Sequence, residues 1–224
     1  PNFPELVVKL VNEGKLSEER INYACSKILE AKFKLGLFEK RYVDMDNISQ
    51  KIFNKSHTDT ALKLAREGIV LLKNNDVLPL KNPQNTKNKI LVTGPNANNQ
   101  SILGDWHSPQ PDENVYTIFE GIEKIGTEMG YIVDYHDSNE NIKKISNNDI
   151  DKTIEISNQY DTVIVVVGDN SMRYRWNQKT AGENTARAEL NLVGKQLDLV
   201  MKLKETENNI ICLLYTSDAA DELR

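Results

Sequence analysis

Several kinds of chemistry find little to work with in this sequence. Its 224 residues hold two cysteines, Cys25 and Cys212, which make neither a disulfide framework nor the paired spacing of a zinc site. Cys25 falls on the apolar side of a helical pattern and reads as a small buried residue. The three histidines, His57, His107 and His136, lie in separate segments, and no two have metal-ligand spacing. No Gly-x-Ser-x-Gly elbow is present, which leaves serine-type acyl transfer without support. Nowhere do about 18 apolar residues run together, so no membrane span is predicted. The net charge is −5 with acids and bases interspersed, and the basic stripe that a nucleic-acid partner requires is missing.

What is present suits a globular chain with a core of its own, since 39% of residues are hydrophobic and 27% charged. Residues 3–13 place Leu6, Val7, Leu10 and Val11 on one helical face, and Gly14 ends the pattern. Ser17 caps a second helix, with Glu18 and Glu19 in its first turn and a stripe from Ile21 to Leu35 that Gly36 stops. A helix pair with no sheet before it cannot cover its own apolar faces, so the pair is expected to close a larger upstream domain. Residues 39–55 are polar and aperiodic and read as a linker, 58–67 as a helix, 69–72 as a short apolar run and 82–88 as a loop.

From Lys89 the rhythm alternates between strand and helix. Strands are predicted at 90–92, 131–135, 162–167 and from Ile210, and helices at 116–125, 149–157 and 193–203. Such alternation gives an α/β domain with a mostly parallel sheet sandwiched by helices. Ligands of such sheets bind beyond the carboxyl ends of the strands. The turn Thr93-Gly94-Pro95-Asn96-Ala97 lacks the repeated glycines and the Lys-Ser/Thr of a phosphate cradle and reads as structural. Residues 168–190 have neither period, and a structureless stretch of that length is commonly functional. The stretch holds Arg173, Tyr174, Arg175, Trp176, Glu183 and Arg187, where aromatic faces suit sugar C–H surfaces and Arg and Glu suit hydroxyls. A surface loop with solvated charges is the plainer reading of the same composition. In Leu103-Gly104-Asp105-Trp106-His107, Trp106 reads either as an anchor to the sheet or, with Asp105, as a substrate contact.

Ordered blocks along the sequence resemble glycoside hydrolase family 3. The run Leu10-Val11-Asn12-Glu13-Gly14-Lys15-Leu16-Ser17-Glu18-Glu19-Arg20-Ile21, with Lys32-Phe33-Lys34-Leu35-Gly36-Leu37-Phe38-Glu39, looks like the end of that family's first domain. Ala65-Arg66-Glu67-Gly68-Ile69-Val70-Leu71-Leu72-Lys73-Asn74 and Leu78-Pro79-Leu80 are similar to its entry into the second domain. Residues 89–96 with Leu103-Gly104-Asp105-Trp106, and Leu190-Asn191-Leu192-Val193-Gly194-Lys195-Gln196, continue the likeness, which covers most of residues 1–211.

The resemblance implies a (β/α)8-like barrel bearing an Asp nucleophile, followed by an α/β sandwich whose loop carries the acid/base Glu. Residues 1–38 would then be the last helices of an incomplete barrel, 39–88 a linker and connecting helix, and 89–211 the sandwich. Glu183, in Gly182-Glu183-Asn184-Thr185-Ala186-Arg187, matches the acid/base position. Many relatives carry Asp where this chain has Ala186, and Glu189 is the nearest alternative. Arg175, Trp176, Arg187, Asp105 and Trp106 are the candidate substrate contacts. The implied reaction is retaining hydrolysis of terminal β-glucosides or β-xylosides, with a glycoside as partner, no metal and no cofactor. The nucleophile is expected upstream, which leaves residues 1–224 inactive alone. A free-standing sugar- or nucleotide-binding module and a catalytically decayed relative are the alternatives. A periplasmic or secreted location is expected from the family's part in polysaccharide breakdown. Residues 212–224 resemble a translated sequencing adaptor more than native chain.

Overall fold

The computed structural model describes residues 2–52, 54–81, 83 and 88–215. It divides into two units, Pro1–Leu72 and Lys73–Arg224. The first is helical: α1 is Phe3–Asn12, α2 Glu18–Lys34, α3 Ile48–Lys51 and α4 Lys55–Gly68. Both α1 and α2 end in one and the same device. Gly14 and Gly36 take φ of +68° and +66°, and the next residue's N–H reaches back five positions, Lys15 to Leu10 O and Leu37 to Lys32 O. This is the Schellman closure, which satisfies carbonyls that the helix leaves open and favours glycine at the left-handed position. Ser17 caps α2 by accepting from Arg20 N, as its position predicts.

Three details of this unit differ from the sequence-based expectation. Cys25 is exposed rather than buried, because none of the residues of α1, α2 or α4 is buried. The polar stretch 39–55 is partly helical, with a 3-10 turn at Met45–Asn47 that Asp44 caps, followed by α3. Asn54 then caps α4 through His57 N, so that helix begins at Lys55, ahead of its apolar period.

The second unit holds a four-stranded sheet in the order β2-β1-β3-β4, every neighbouring pair parallel. Its strands are β1 Lys89–Thr93, β2 Ile132–His136, β3 Thr162–Gly168 and β4 Asn209–Tyr215. Helices α5 (Ile118–Glu128), α6 (Asn147–Ser157) and α7 (Gln196–Lys204) connect them. Alternation along β1 and β3 builds two cores. Leu91, Val163, Val165 and Val167 pack with Ile150 of α6 and with Leu199 and Leu203 of α7. Ile90, Val92, Ile164 and Val166 face the other way, toward Ile118, Phe119 and Ile122 of α5. Every residue of β3 is buried, as a central parallel strand covered on both faces should be. The α/β fold with helices on both faces of a parallel sheet is therefore as the alternation predicts. Residues 212–215 lie in β4, and 216–224 fall outside the described residues.

The helices carry the largest boundary differences, among them the end of α5, which runs three residues past Ile125. Thr117 with Glu120, and Ser146 with Asp149, form reciprocal capping boxes that set the first turns of α5 and α6. Helix α7 starts three residues later than its apolar pattern, at Gln196. The Gln196 side chain accepts from Gly168 N at 2.9 Å, which ties the start of α7 to the end of β3.

Hydrogen bonds from the Ser146 hydroxyl and backbone hold the Asp149 carboxyl below the usual carboxylate range. Asp149 therefore stabilises the fold above the unfolded carboxyl's pKa of about 3.9, and that contribution is lost as pH falls through the lower folded value. Ser146→Ala should cost roughly 1 kcal/mol at neutral pH. In urea melts of the chain between pH 7 and pH 3, the variant should also show a shallower acid loss than the parent.

Candidate functional site

Parallel pairing of β1 with β3 brings the loops that follow both strands to the same end of the sheet. The turn after β1 is fitted against β3. Asn96 donates from its backbone N to Val166 O, and from Nδ2 to Asp169 O at 3.1 Å. Gly94 takes φ +105°, and a Cβ there would lie 2.1 Å from Val166 O. Two donors of Asn96 thus tie the turn to the neighbouring strand and its end, in keeping with a structural turn. The chain then makes a 3-10 turn at Gln100–Leu103 and reverses at Gly104, whose φ is +80°, delivering Asp105 and Trp106 toward the loop after β3.

That second loop is closed at its neck. Asn170 N donates to Thr180 Oγ1 at 2.8 Å and Thr180 N to Asn170 O at 2.7 Å, while Thr180 Oγ1 donates to Asp169 Oδ1. Beneath it Met172, Lys179, Thr180 and Ala181 are buried. The stretch is therefore not a plain solvated loop, although its one regular element is a 3-10 turn at Arg173–Arg175. Beyond the neck, Thr185 N donates to Gly182 O at 3.0 Å and closes a four-residue turn with Glu183 at its second position. The third, Asn184, has φ +61°, a conformation for which Gly and Asn are the favoured residues.

An open depression of about 670 Å³ lies beside this turn, lined by Asp105, Trp106 and residues 182–186. Asp105 sits at its base with its side chain 7% exposed. Its Oδ1 accepts from Lys179 Nζ at 2.7 Å and from Arg173 Nε at 3.2 Å, and its Oδ2 accepts from Glu183 N at 2.6 Å. Lys179, whose side chain is 1% exposed, also donates to Glu183 O at 2.8 Å. The Glu183 side chain is half-exposed and pairs with the Arg173 guanidinium. That guanidinium lies 3.8 Å from the centre of the Trp106 ring. Trp106 is 76% exposed, so it does not anchor its loop to the sheet; apart from its contact with Arg173 it presents a flat apolar ring. His107 meets the edge of Tyr174 instead, with ring centroids 5.5 Å apart, and burial pushes the Tyr174 phenol above its ordinary range.

Of the residues singled out in the sequence, the structure gathers Asp105, Trp106 and Glu183. Arg175 pairs with Glu140 at 2.5 Å, Arg187 pairs with Asp169 at 2.5 Å and donates to Asn191 O, and neither lines the depression. Trp176 is half-exposed beneath Lys179, and neither it nor Glu189 lines the depression. Arg173 and Lys179 join the site without having been picked as contacts. Lys179 stands in a polar run with no local sign of burial, and only Asp105, 74 positions away, explains it. Among the described residues, no group of three or more His, Cys, Asp or Glu side chains converges as a metal site would. No helix among them is long and apolar enough to cross a membrane.

Comparison with known proteins matches residues 69–222 to the glycosyl hydrolase family 3 C-terminal domain. A periplasmic beta-glucosidase of Salmonella typhimurium is 27% identical over 92% of this chain and 29% of its own length. A beta-xylosidase of Formosa agariphila is 30% identical over 87% of this chain and 26% of its own. A solved beta-glucosidase of saponin metabolism from intestinal bacteria superposes with TM-score 0.81 at 29% identity, covering 97% of this chain and 32% of that one. The chain thus spans between a quarter and a third of the length of these relatives.

Glycine is required at the two turns after β1 for different reasons, and stability should separate them. Gly104→Ala should cost roughly 1–3 kcal/mol, the strain of a positive-φ extended backbone that glycine alone adopts readily, because nothing lies within 4 Å of the added carbon. Gly94→Ala adds overlap with the backbone of β3 to that strain and should lower the melting temperature considerably further.

Proposed function

The chain belongs to glycosyl hydrolase family 3, and on that basis we propose that it supplies the proton-donating carboxyl, Glu183, of a retaining β-glucosidase or β-xylosidase. The observation that carries the proposal is the fate of the two carboxyl groups at the depression. Both oxygens of Asp105 are taken up by Lys179, Arg173 and the Glu183 amide. Glu183 keeps an exposed carboxyl whose one described side-chain partner, Arg173, is itself partly exposed. A retaining glycosidase needs two carboxyl groups about 5–5.5 Å apart on opposite sides of the scissile bond. Asp105 is too fully engaged to be the second. The family resemblance assigns that role to an aspartate of a barrel domain, and both relatives above are much longer than this chain.

In the first step Glu183 would deliver its proton to the glycosidic oxygen as the bond to the anomeric carbon breaks and the opposing carboxylate attacks that carbon. In the second, the Glu183 carboxylate would take a proton from water as the water oxygen displaces the enzyme carboxylate. Trp106, flat and exposed beside Glu183, is suited to packing against a sugar or aglycone face. A binding module or a decayed relative could keep the depression, and the experiments below separate those readings from catalysis.

Residues 1–224 alone should not turn over aryl β-glucosides or β-xylosides. Measurable turnover that Glu183→Gln abolishes would mean that both carboxyl groups lie within this chain. In a polypeptide that places this chain behind a family 3 barrel, Glu183→Gln should slow hydrolysis of alkyl glycosides by about 10²–10⁴-fold. Cleavage of 2,4-dinitrophenyl glycosides, whose phenolate leaves unprotonated, should be spared in its first step. Azide, which attacks without a general base, should restore turnover. The proposal is refuted by an unchanged alkyl-glycoside rate, or by the same pattern arising from Glu189→Gln instead.

A further inference from the structure

We propose that Asp105 and Lys179 are positioning residues for Glu183: a buried ion pair that grips the Glu183 backbone at both its N–H and its C=O. The inference rests on the reading of Glu183 as proton donor and says how that group is held. Asp105 Oδ2 accepts from Glu183 N at 2.6 Å, and Lys179 Nζ donates to Glu183 O at 2.8 Å. The two grips are joined by the ion pair itself, Lys179 Nζ to Asp105 Oδ1 at 2.7 Å. One residue on an otherwise solvent-facing turn is thereby held from two sides through its backbone, while its carboxyl is left to the partly exposed Arg173.

A pair that served only the fold would be a poor choice of chemistry. Removing two charges from water costs several kcal/mol per ion, and a well-packed apolar pair commonly stabilises as much or more. This pair sends its spare hydrogen-bonding capacity to Glu183 and to Arg173, not into either apolar core. Gly182 is shaped to the same end. Its φ is +90°, and a Cβ there would lie 2.6 Å from Asp105 Oδ2 and 3.2 Å from Lys179 Cε. A side chain at position 182 would therefore push the carboxylate off the Glu183 amide. Thr185 N closing on Gly182 O fixes the other flank of the turn. Positioning of this kind matters for a proton donor, because a displacement of about 1 Å can cost on the order of 10²-fold in rate.

The division of labour between backbone and side chain is also specific. Arg173 is the partner of the Glu183 carboxyl, and its guanidinium rests on the exposed Trp106 ring rather than in the core. That contact can be exchanged for a substrate oxygen without loosening the grip on the backbone. Lys179 and Asp105, almost wholly buried, are not free to make such an exchange.

The test uses the full chain and two near-isosteric variants, Asp105→Asn and Lys179→Met, with Gly182→Ala as a third that leaves both charges in place. Amide hydrogen exchange should show the Glu183 N–H protected in the parent and exchanging at least about tenfold faster in Asp105→Asn and Gly182→Ala. Cleavage by a glutamate-specific protease should rise at Glu183 in all three variants and stay constant at Glu189, an internal reference outside the grip. Protection of Val163, Val165 and Val167 in β3 should not change. Exchange and cleavage at Glu183 that match the parent overturn the proposal, and so does a loss of β3 protection in step with Glu183 in every variant. Neither readout involves a sugar, so failure here leaves the proton-donor reading standing. In the barrel-joined polypeptide, Lys179→Met should lower kcat for alkyl glycosides, leave KM within about twofold and spare 2,4-dinitrophenyl glycosides. An equal loss on both substrates would contradict positioning of a proton donor.

Discussion

The parallel pairing of β1 with β3 is the constraint from which the site follows. Strands that run the same way end together, and the register sets Thr93 beside Val165. Two loops far apart in sequence therefore begin at adjacent points on the carboxyl end of the sheet. The turn at Gly94 leaves no room for a side chain against Val166, which presses the first loop onto the second strand. From there the reversal at Gly104 and the neck between Asn170 and Thr180 set Asp105 and Lys179 face to face. The cores on both faces of the sheet make this end stiff, because β3 is buried along its whole length. A catalytic group borne on a loop gains precision only if the elements beneath it do not shift.

Much of this was legible in the sequence, and the reasons are local. The apolar run 162–167 can be little other than a doubly covered strand, and the glycines at 14 and 36 mark helix ends because few other residues adopt their conformation. Less was legible where a side chain overrides a period. Thr117 with Glu120 and Ser146 with Asp149 displace the starts of α5 and α6 from where the apolar residues alone would set them. Gln196 starts α7 late by bonding to the end of β3, a partner that no sequence window contains. Cys25 looked buried because its helix has an apolar stripe, and the stripe is exposed.

The candidate site divides along the same line. Glu183 and Asp105 were visible as chemistry-bearing residues in aperiodic segments. Their relation was not, since it depends on a contact across 78 positions. Lys179 carried no signal, because a buried lysine and a solvated one look alike until the carboxylate that justifies burial is known. Arg175 and Arg187 were candidate sugar contacts in a stretch whose composition reads more plainly as solvated charge, and their partners are Glu140 and Asp169 of the protein itself. Arginines in a long loop serve two purposes, holding the loop and holding a ligand, and composition does not separate them.

Under the proposed function, Glu183 is a proton donor on a gripped turn and its opposing carboxylate belongs to another domain. The most direct measurement is a crystal structure of this chain joined to a family 3 barrel, with an uncleaved thioglycoside bound. The account predicts a Glu183 carboxyl oxygen within hydrogen-bonding reach of the glycosidic sulfur, and a second carboxylate about 5–5.5 Å away across the anomeric carbon. A Glu183 that points away from the bound glycoside, or a separation of about 6.5 Å or more, would contradict it.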